Sequence, residues 1–192
     1  MSEKLRLFVA VDLPPELKEK IGKALPNFRE RCTDVRWVKA ENLHLTLKFL
    51  GHVESGKVEF INRALQGVCA HATPFRLRLC GGGAFPDEGK GRVIWVGIEG
   101  DVEKAAELAE RIETKLEELG FDREERSFRP HITLGRMKRP RPCRDLVEEW
   151  RAILEDMGET GFTASEVTLF QSVLSREGPR YFPVEVFALK GD

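Results

Sequence analysis

The chain has 192 residues, 41% hydrophobic and 33% charged, with no low-complexity tract, a balance that argues against disorder. A net charge of −1 removes the case for a general nucleic-acid binder, whose footprint is an excess of Lys and Arg, but leaves room for a local basic patch. This length suits one domain or two small lobes, burying roughly two-thirds of the unfolded surface.

Residues 5–13, LRLFVAVDL, read as a buried strand, and Pro14-Pro15 then open a helix over ELKEKIGKAL. The apolar start is broken by Asp12 and the prolines and carries no signal-peptide cleavage pattern, and no run reaches transmembrane length. VRWV and a strand beginning at His44 follow, after which Ser55 is placed to cap a helix through KVEFINRALQGVCAHA. FRLRL alternates at period two, as a half-exposed strand should. The run Gly81 to Gly83, with Pro86 and Gly89, is expected to form a loop.

RVIWVGIEG is a second strand, and DVEKAAELAERIETKLEEL an amphipathic helix with Val102, Ala105, Ala106, Ala109, Ile112 and Leu116 on its apolar face. After HITLGR, the basic run RMKRPRPCR reads as a solvated linker before a helix from Asp145 to about Met157. EVTLFQSVL and YFPVEVFAL are strands joined by the turn-rich SREGPR. Cys32, Cys69, Cys80 and Cys143 form no Cys-x-x-Cys pair, so buried free thiols in a reducing, cytoplasmic setting are expected.

The order strand, helix, His-x-Thr strand occurs twice. The 87 residues that separate His44 from His131 also lay Val9 to Asp12 on Val96 to Glu99, and the first long helix on the second. A duplicated, two-lobed fold is the economical reading. No glycine-rich phosphate loop follows either strand, and adjacent alternating strands favour antiparallel pairing. The expected class is α+β: two pseudo-symmetric lobes, each a largely antiparallel sheet backed by helices, around a central cleft.

Side chains at i and i+2 of a strand share a face, so His44 and Thr46 project together, as do His131 and Thr133, with Leu45, Leu47, Ile132 and Leu134 behind them. Across a pseudo-twofold axis the two faces converge. One imidazole can then accept a proton while the other donates one, and the hydroxyls can hold non-bridging phosphate oxygens. Cations would steady the charge on those oxygens; Arg136 beside the second motif, Lys138, Arg139, Arg141, Arg144 and Lys48 are at hand. A zinc site fits less well, because neither motif offers a second His or a carboxylate at ligand spacing, and no Gly-x-Ser-x-Gly elbow marks a serine hydrolase. His52 and His71 lack such company and read as surface or structural residues. Phe8, Trp37 and Tyr181 are conceivable platforms for a base.

Through RLFVAVDLP, VRWVKAENLHLTLKFLG, GGGAFPDEGKGRVIWVG, FRPHITLGR and VTLFQSVLSREGPRYFPVEVFAL, nearly the whole chain resembles the 2H phosphoesterases, specifically the RNA 2′,3′-cyclic phosphodiesterases also called LigT-like or 2′-5′ RNA ligase proteins. The resemblance implies that residues 1–192 form one domain of two intertwined lobes, that RNA ends bearing a 2′,3′-cyclic phosphate, tRNA fragments among them, are hydrolysed to 2′-phosphomonoesters, and that no metal or other cofactor takes part. It implies His44 as proton donor, His131 as proton acceptor, and Thr46 and Thr133 as phosphate-binding residues, to which Arg136 is added for its position beside His131, in a protein expected to be monomeric. The spacing alone leaves the two histidines interchangeable. The reverse 2′-5′ ligation, hydrolysis of a small cyclic nucleotide, and a non-catalytic RNA-end-binding module stand as alternatives.

Overall fold

Nine strands and four α-helices make up the computed structural model, which describes residues 3–176 and 178–191. In chain order they are β1 (Lys4–Asp12), α1 (Pro15–Arg31), β2 (Val35–Trp37), β3 (His44–Glu54), α2 (Val58–Cys69), β4 (Phe75–Phe85), β5 (Gly91–Gly100), α3 (Val102–Glu117), β6 (His131–Arg141), α4 (Arg144–Asp156), β7 (Gly161–Ala164), β8 (Glu166–Ser175) and β9 (Gly178–Ala188). The strands run β7-β4-β5-β6-β3-β1-β8-β9, with β2 also on β6, and every pairing is antiparallel. The fold is α+β, as the alternation of the sequence predicts. No helix among the described residues is long and apolar enough to cross a membrane.

The middle of that order makes the two lobes. β3 and β6 share a single residue pair, Leu45 with Ile132, so two antiparallel sheets are joined at one point. α2 packs on β8 and β9, and α3 on α2 and β3; α4 packs on β4, and α1 on β2. Phe28 of α1 lies 6.2 Å from Trp150 of α4. α1, which follows β1, therefore packs on a strand of the other lobe, as does α3, which follows β5. Ile21, Leu25 and Phe28 of α1, Ile112 and Leu116 of α3, and Val147 and Trp150 of α4 are fully buried. Each such side chain contributes about 1.5–3 kcal/mol of burial.

Several local expectations are corrected. The first helix runs on to Arg31 through Pro26, carried by the burial of Leu25 and Phe28. Ser55 does not cap α2: residues 55–57 form a 3-10 turn and Lys57 precedes the helix with no side-chain cap. The basic run RMKRPRPCR is strand as far as Arg141, since Met137 pairs with Val35 and Arg141 with Gly91. β7, a short edge strand on β4, has no counterpart among the expected elements. Cys69 and Cys143 are buried free thiols, whereas Cys32 and Cys80 are only half-buried. Of the turn joining the last two strands, Glu177 lies outside the described residues.

The glycine run is also strand. Gly81 and Gly82 stand opposite one residue of β5 as a bulge, with Gly81 at φ +52°, and Gly83 pairs with Trp95. A Cβ on Gly82 would lie 2.8 Å from Cδ1 of Trp150, and one on Gly83 would collide with the Trp95 ring. Glycine is needed here to let two indoles approach the backbone.

The duplication holds, with a different register. Val11 pairs with Leu45 where Val96 pairs with Ile132, and Asp12 with His44 where Gly97 pairs with His131. β1 and β5 therefore correspond at two residues fewer than the 87 that separate the motifs. A slip of two keeps every side chain on its face, which is why hydrophobic matching could not detect it.

Candidate active site

At the seam, Leu45 and Ile132 point into the core, 1% and 0% exposed. On antiparallel strands their neighbours then alternate across the junction: His44 comes alongside Thr133, and Thr46 alongside His131, all on the opposite, half-buried face. Two imidazoles and two hydroxyls thus face outward around one residue pair.

Both histidines are held in the same way. Nδ1 of His44 lies 2.7 Å from the carbonyl of Asn42, and Nδ1 of His131 lies 2.6 Å from the carbonyl of Arg129. A carbonyl can only accept, so each Nδ1 carries the proton and donates it, and each Nε2 is left with a lone pair. Asn42 is itself anchored, its Nδ2 donating to the carbonyl of Pro179 at 2.8 Å. Aromatic rings also wall both imidazoles, three at His44, where Phe170 lies at 6.4 Å, and two at His131. Tyr181 meets His44 edge-on at 5.3 Å with Phe8 at 4.8 Å, and Phe85 meets His131 edge-on at 5.0 Å with Trp95 at 6.3 Å.

These walls shape the electrostatics. Burial pushes the His44 imidazole down to about 4, opposed by its bond to Asn42 and by the charge of Asp12, and assisted by Lys18 and Arg136. Burial likewise lowers His131, with the bond to Arg129 opposing and Arg136 assisting. Burial thus favours the neutral form of both rings. One asymmetry breaks the pseudo-symmetry: Asp12 is paired with His44 in the sheet, whereas glycine, Gly97, is paired with His131.

A bulge follows each motif at the same place. Val9 pairs with Lys48 and Ala10 with Thr46, leaving Leu47 extra; Ile94 pairs with Gly135 and Trp95 with Thr133, leaving Leu134 extra. An inserted residue reverses the inside-outside alternation beyond it. Strict alternation from His131 and Thr133 would turn Arg136 toward the core, and the bulge brings it out beside the histidines, where its charge reaches both. The same device turns Phe49 outward, 59% exposed and 6.1 Å from Phe8.

The bulge also turns Lys48 inward, which corrects the expectation that it lies beside a bound phosphate. Its side chain is 2% exposed and ion-paired with Glu113 of α3, and its Nζ donates to the carbonyl of Asp122 at 2.8 Å. Most of the other basic candidates are engaged elsewhere: Lys138 with the Thr33 carbonyl, Arg141 with Asp34, and Arg144 with Glu88. Of the conceivable platforms, Phe8 and Tyr181 stand beside His44, whereas Trp37 packs on Phe28 and donates to the Cys32 carbonyl, away from it. His52 and His71 are exposed. Sequence reasoning missed Phe85, Trp95 and Phe49, and the position of Asp12. A cavity of about 570 Å³ lined by Gly82, Gly83, Asp87, Glu88 and Arg151 shares Trp95 with the His131 wall. Among the described residues no cluster of three or more His, Cys, Asp or Glu side chains could hold a metal ion.

The family model of the 2′-5′ RNA ligase superfamily matches residues 8–175. The RNA 2′,3′-cyclic phosphodiesterase of Methanothermobacter thermautotrophicus is 36% identical over 97% of this chain and 100% of its own. That of Archaeoglobus fulgidus is 38% identical over 95% of this chain and 99% of its own. Among solved structures, TT0787 of Thermus thermophilus superimposes with a TM-score of 0.80 at 30% identity, covering 98% of this chain and 100% of its own. Escherichia coli LigT in complex with 3′-AMP gives 0.75 at 28% identity, covering 97% and 99%.

Proposed function

Since this chain belongs to the 2′-5′ RNA ligase superfamily, we propose that it is an RNA 2′,3′-cyclic phosphodiesterase that opens the cyclic end to a 2′-phosphomonoester. The observation that carries the reading is the pair of Nδ1-anchored histidines set around the Leu45 and Ile132 pair.

Water attacks phosphorus as His131 Nε2 takes its proton. The bond from phosphorus to O3′ breaks as the protonated His44 Nε2 gives its proton to O3′, and the phosphate stays on O2′. Thr46 and Thr133 donate hydrogen bonds to the non-bridging oxygens, and Arg136 balances the charge that grows on them. The incoming phosphate anion favours imidazolium at either ring, against the burial that favours the neutral form of both. Asp12 adds its charge on the His44 side only, which supports His44 as the acid. The two imidazoles supply both proton transfers, so the rate is expected to survive chelation with EDTA.

The test is release of 2′-monoester from an oligoribonucleotide ending in 2′,3′-cyclic phosphate by wild type, His44→Ala and His131→Ala. Full activity in both variants would sink the two-histidine mechanism, and tight binding without monoester would favour an RNA-end-binding module. The family's name supports a second reading, in which a 5′-hydroxyl end replaces water and a 2′-5′ junction forms. A joined product from cyclic-phosphate and 5′-hydroxyl ends would establish it.

A further inference from the structure

Arg36 of β2 and Arg136 of β6 are cross-strand partners, so their side chains stand on one face of the sheet. The flanking pairs, Val35 with Met137 and Trp37 with Gly135, fill the core side, and both arginines are exposed. That exposed face is the one bearing the histidines, because the Arg136 charge acts on His44 and His131 alike. β2 and β3 follow one another along the same edge of β6, which places Arg36 just beyond the seam on the His44 side, one strand spacing, roughly 5 Å, from Arg136.

Like charges directly opposite one another destabilise a ladder. Several arginines are neutralised by a carboxylate, Arg31 with Glu149, Arg78 with Glu99, Arg123 with Glu110, Arg141 with Asp34 and Arg151 with Glu88, and what sets Arg36 and Arg136 apart is that they stand directly opposite one another. Among the described residues no hydrogen bond or ion pair engages Arg36 or Arg136. Two uncompensated guanidinium groups side by side match two anions side by side. One anion is the reacting cyclic phosphate. An RNA end carries a second, the phosphodiester on the 5′ side of its last nucleotide, which a cyclic mononucleotide lacks. Guanidinium suits a diester phosphate because it can bond two oxygens at once.

We propose that Arg36 holds the phosphodiester immediately 5′ of the cyclic end, making the protein selective for oligoribonucleotides over cyclic mononucleotides. This deepens the cyclic-phosphate reading above and rests on it.

The experiment compares kcat/KM of wild type, Arg36→Gln and Arg36→Lys on a dinucleotide ending in 2′,3′-cyclic phosphate and on adenosine 2′,3′-cyclic phosphate. Wild type is expected to prefer the dinucleotide, and Arg36→Gln to lose about tenfold on it, mainly through KM, with the mononucleotide rate unchanged. Arg36→Lys should restore part of the preference as a point charge. The salt dependence of dinucleotide binding should become shallower by roughly 0.7 in the log-log slope, the share of one phosphate contact in a single strand. An equal fall on both substrates, or no change on either, overturns the proposal. A wild type inactive on both overturns the cyclic-phosphate reading and takes the proposal with it.

Discussion

Leu45 pairs with Ile132 and so joins the two sheets of the molecule through its two motif strands, with a histidine and a threonine on each side of the pair. A junction of one pair places both imidazoles without a loop between them, on elements fixed by the core. Groups that act together in one transition state are lost together. His44→Ala and His131→Ala are each expected to slow monoester release by about 10²–10⁴, and the double variant to be little worse than the poorer single one. Multiplying losses in the double variant would mean that the two rings act in separate steps.

Asp12 is the feature that tells the two halves apart. Its charge favours the cation of His44, so under the proposed roles Asp12→Asn weakens the acid and leaves the base alone. With His44 as donor, its ionisation in the complex sets the alkaline limb of the kcat profile. That limb is expected to move to lower pH in Asp12→Asn, the acid limb staying in place. Movement of the acid limb alone would assign His44 as the base.

The alternation of HLTL and HITL was legible in the sequence because period two survives any even slip, and the leucine and isoleucine positions lie in the core as that period requires. The bulges were not. Two consecutive buried residues, Leu47 with Lys48 and Leu134 with Gly135, mark them, and a lysine read as polar hides the first pair. Lys48 and Arg136 are candidates on the same ground, each following a His-x-Thr motif, and proximity along the chain does not reveal that the bulges bury the first and expose the second. The triple glycine signalled a turn, since nothing local to it reveals the two tryptophans that require its missing side chains. Phe85 and Trp95 escaped notice because aromatic residues in strands are ordinarily core.

Lys48 and Glu113 form a buried ion pair between β3 and α3, and Glu113 also accepts from the Glu124 N–H at 3.4 Å. Removing one partner leaves a buried charge uncompensated, so Lys48→Met is expected to cost about 3–5 kcal/mol in urea unfolding. Replacing both, Lys48→Met with Glu113→Leu, should recover most of that loss. A single variant within about 1 kcal/mol of wild type would show that water reaches the pair.

Burial of neutral His44 links stability to pH. Its folded value of about 4 lies below the ordinary 6.5, so between the two the unfolded chain takes up a proton that the folded chain refuses. The contribution is fully present above about 6.5 and is lost as pH falls through about 4, an effect of at most about 3 kcal/mol. His131 is lowered too and adds in the same direction. Asp34, held down by its bond to Arg141, loses its contribution only below the usual carboxylate value of 3.8, outside this window. The unfolding free energy of wild type is therefore expected to drop between pH 7 and pH 4, and that of His44→Gln, which keeps His131, to drop less. Equal slopes in urea titrations of the two proteins would show that His44 is protonated as easily folded as unfolded.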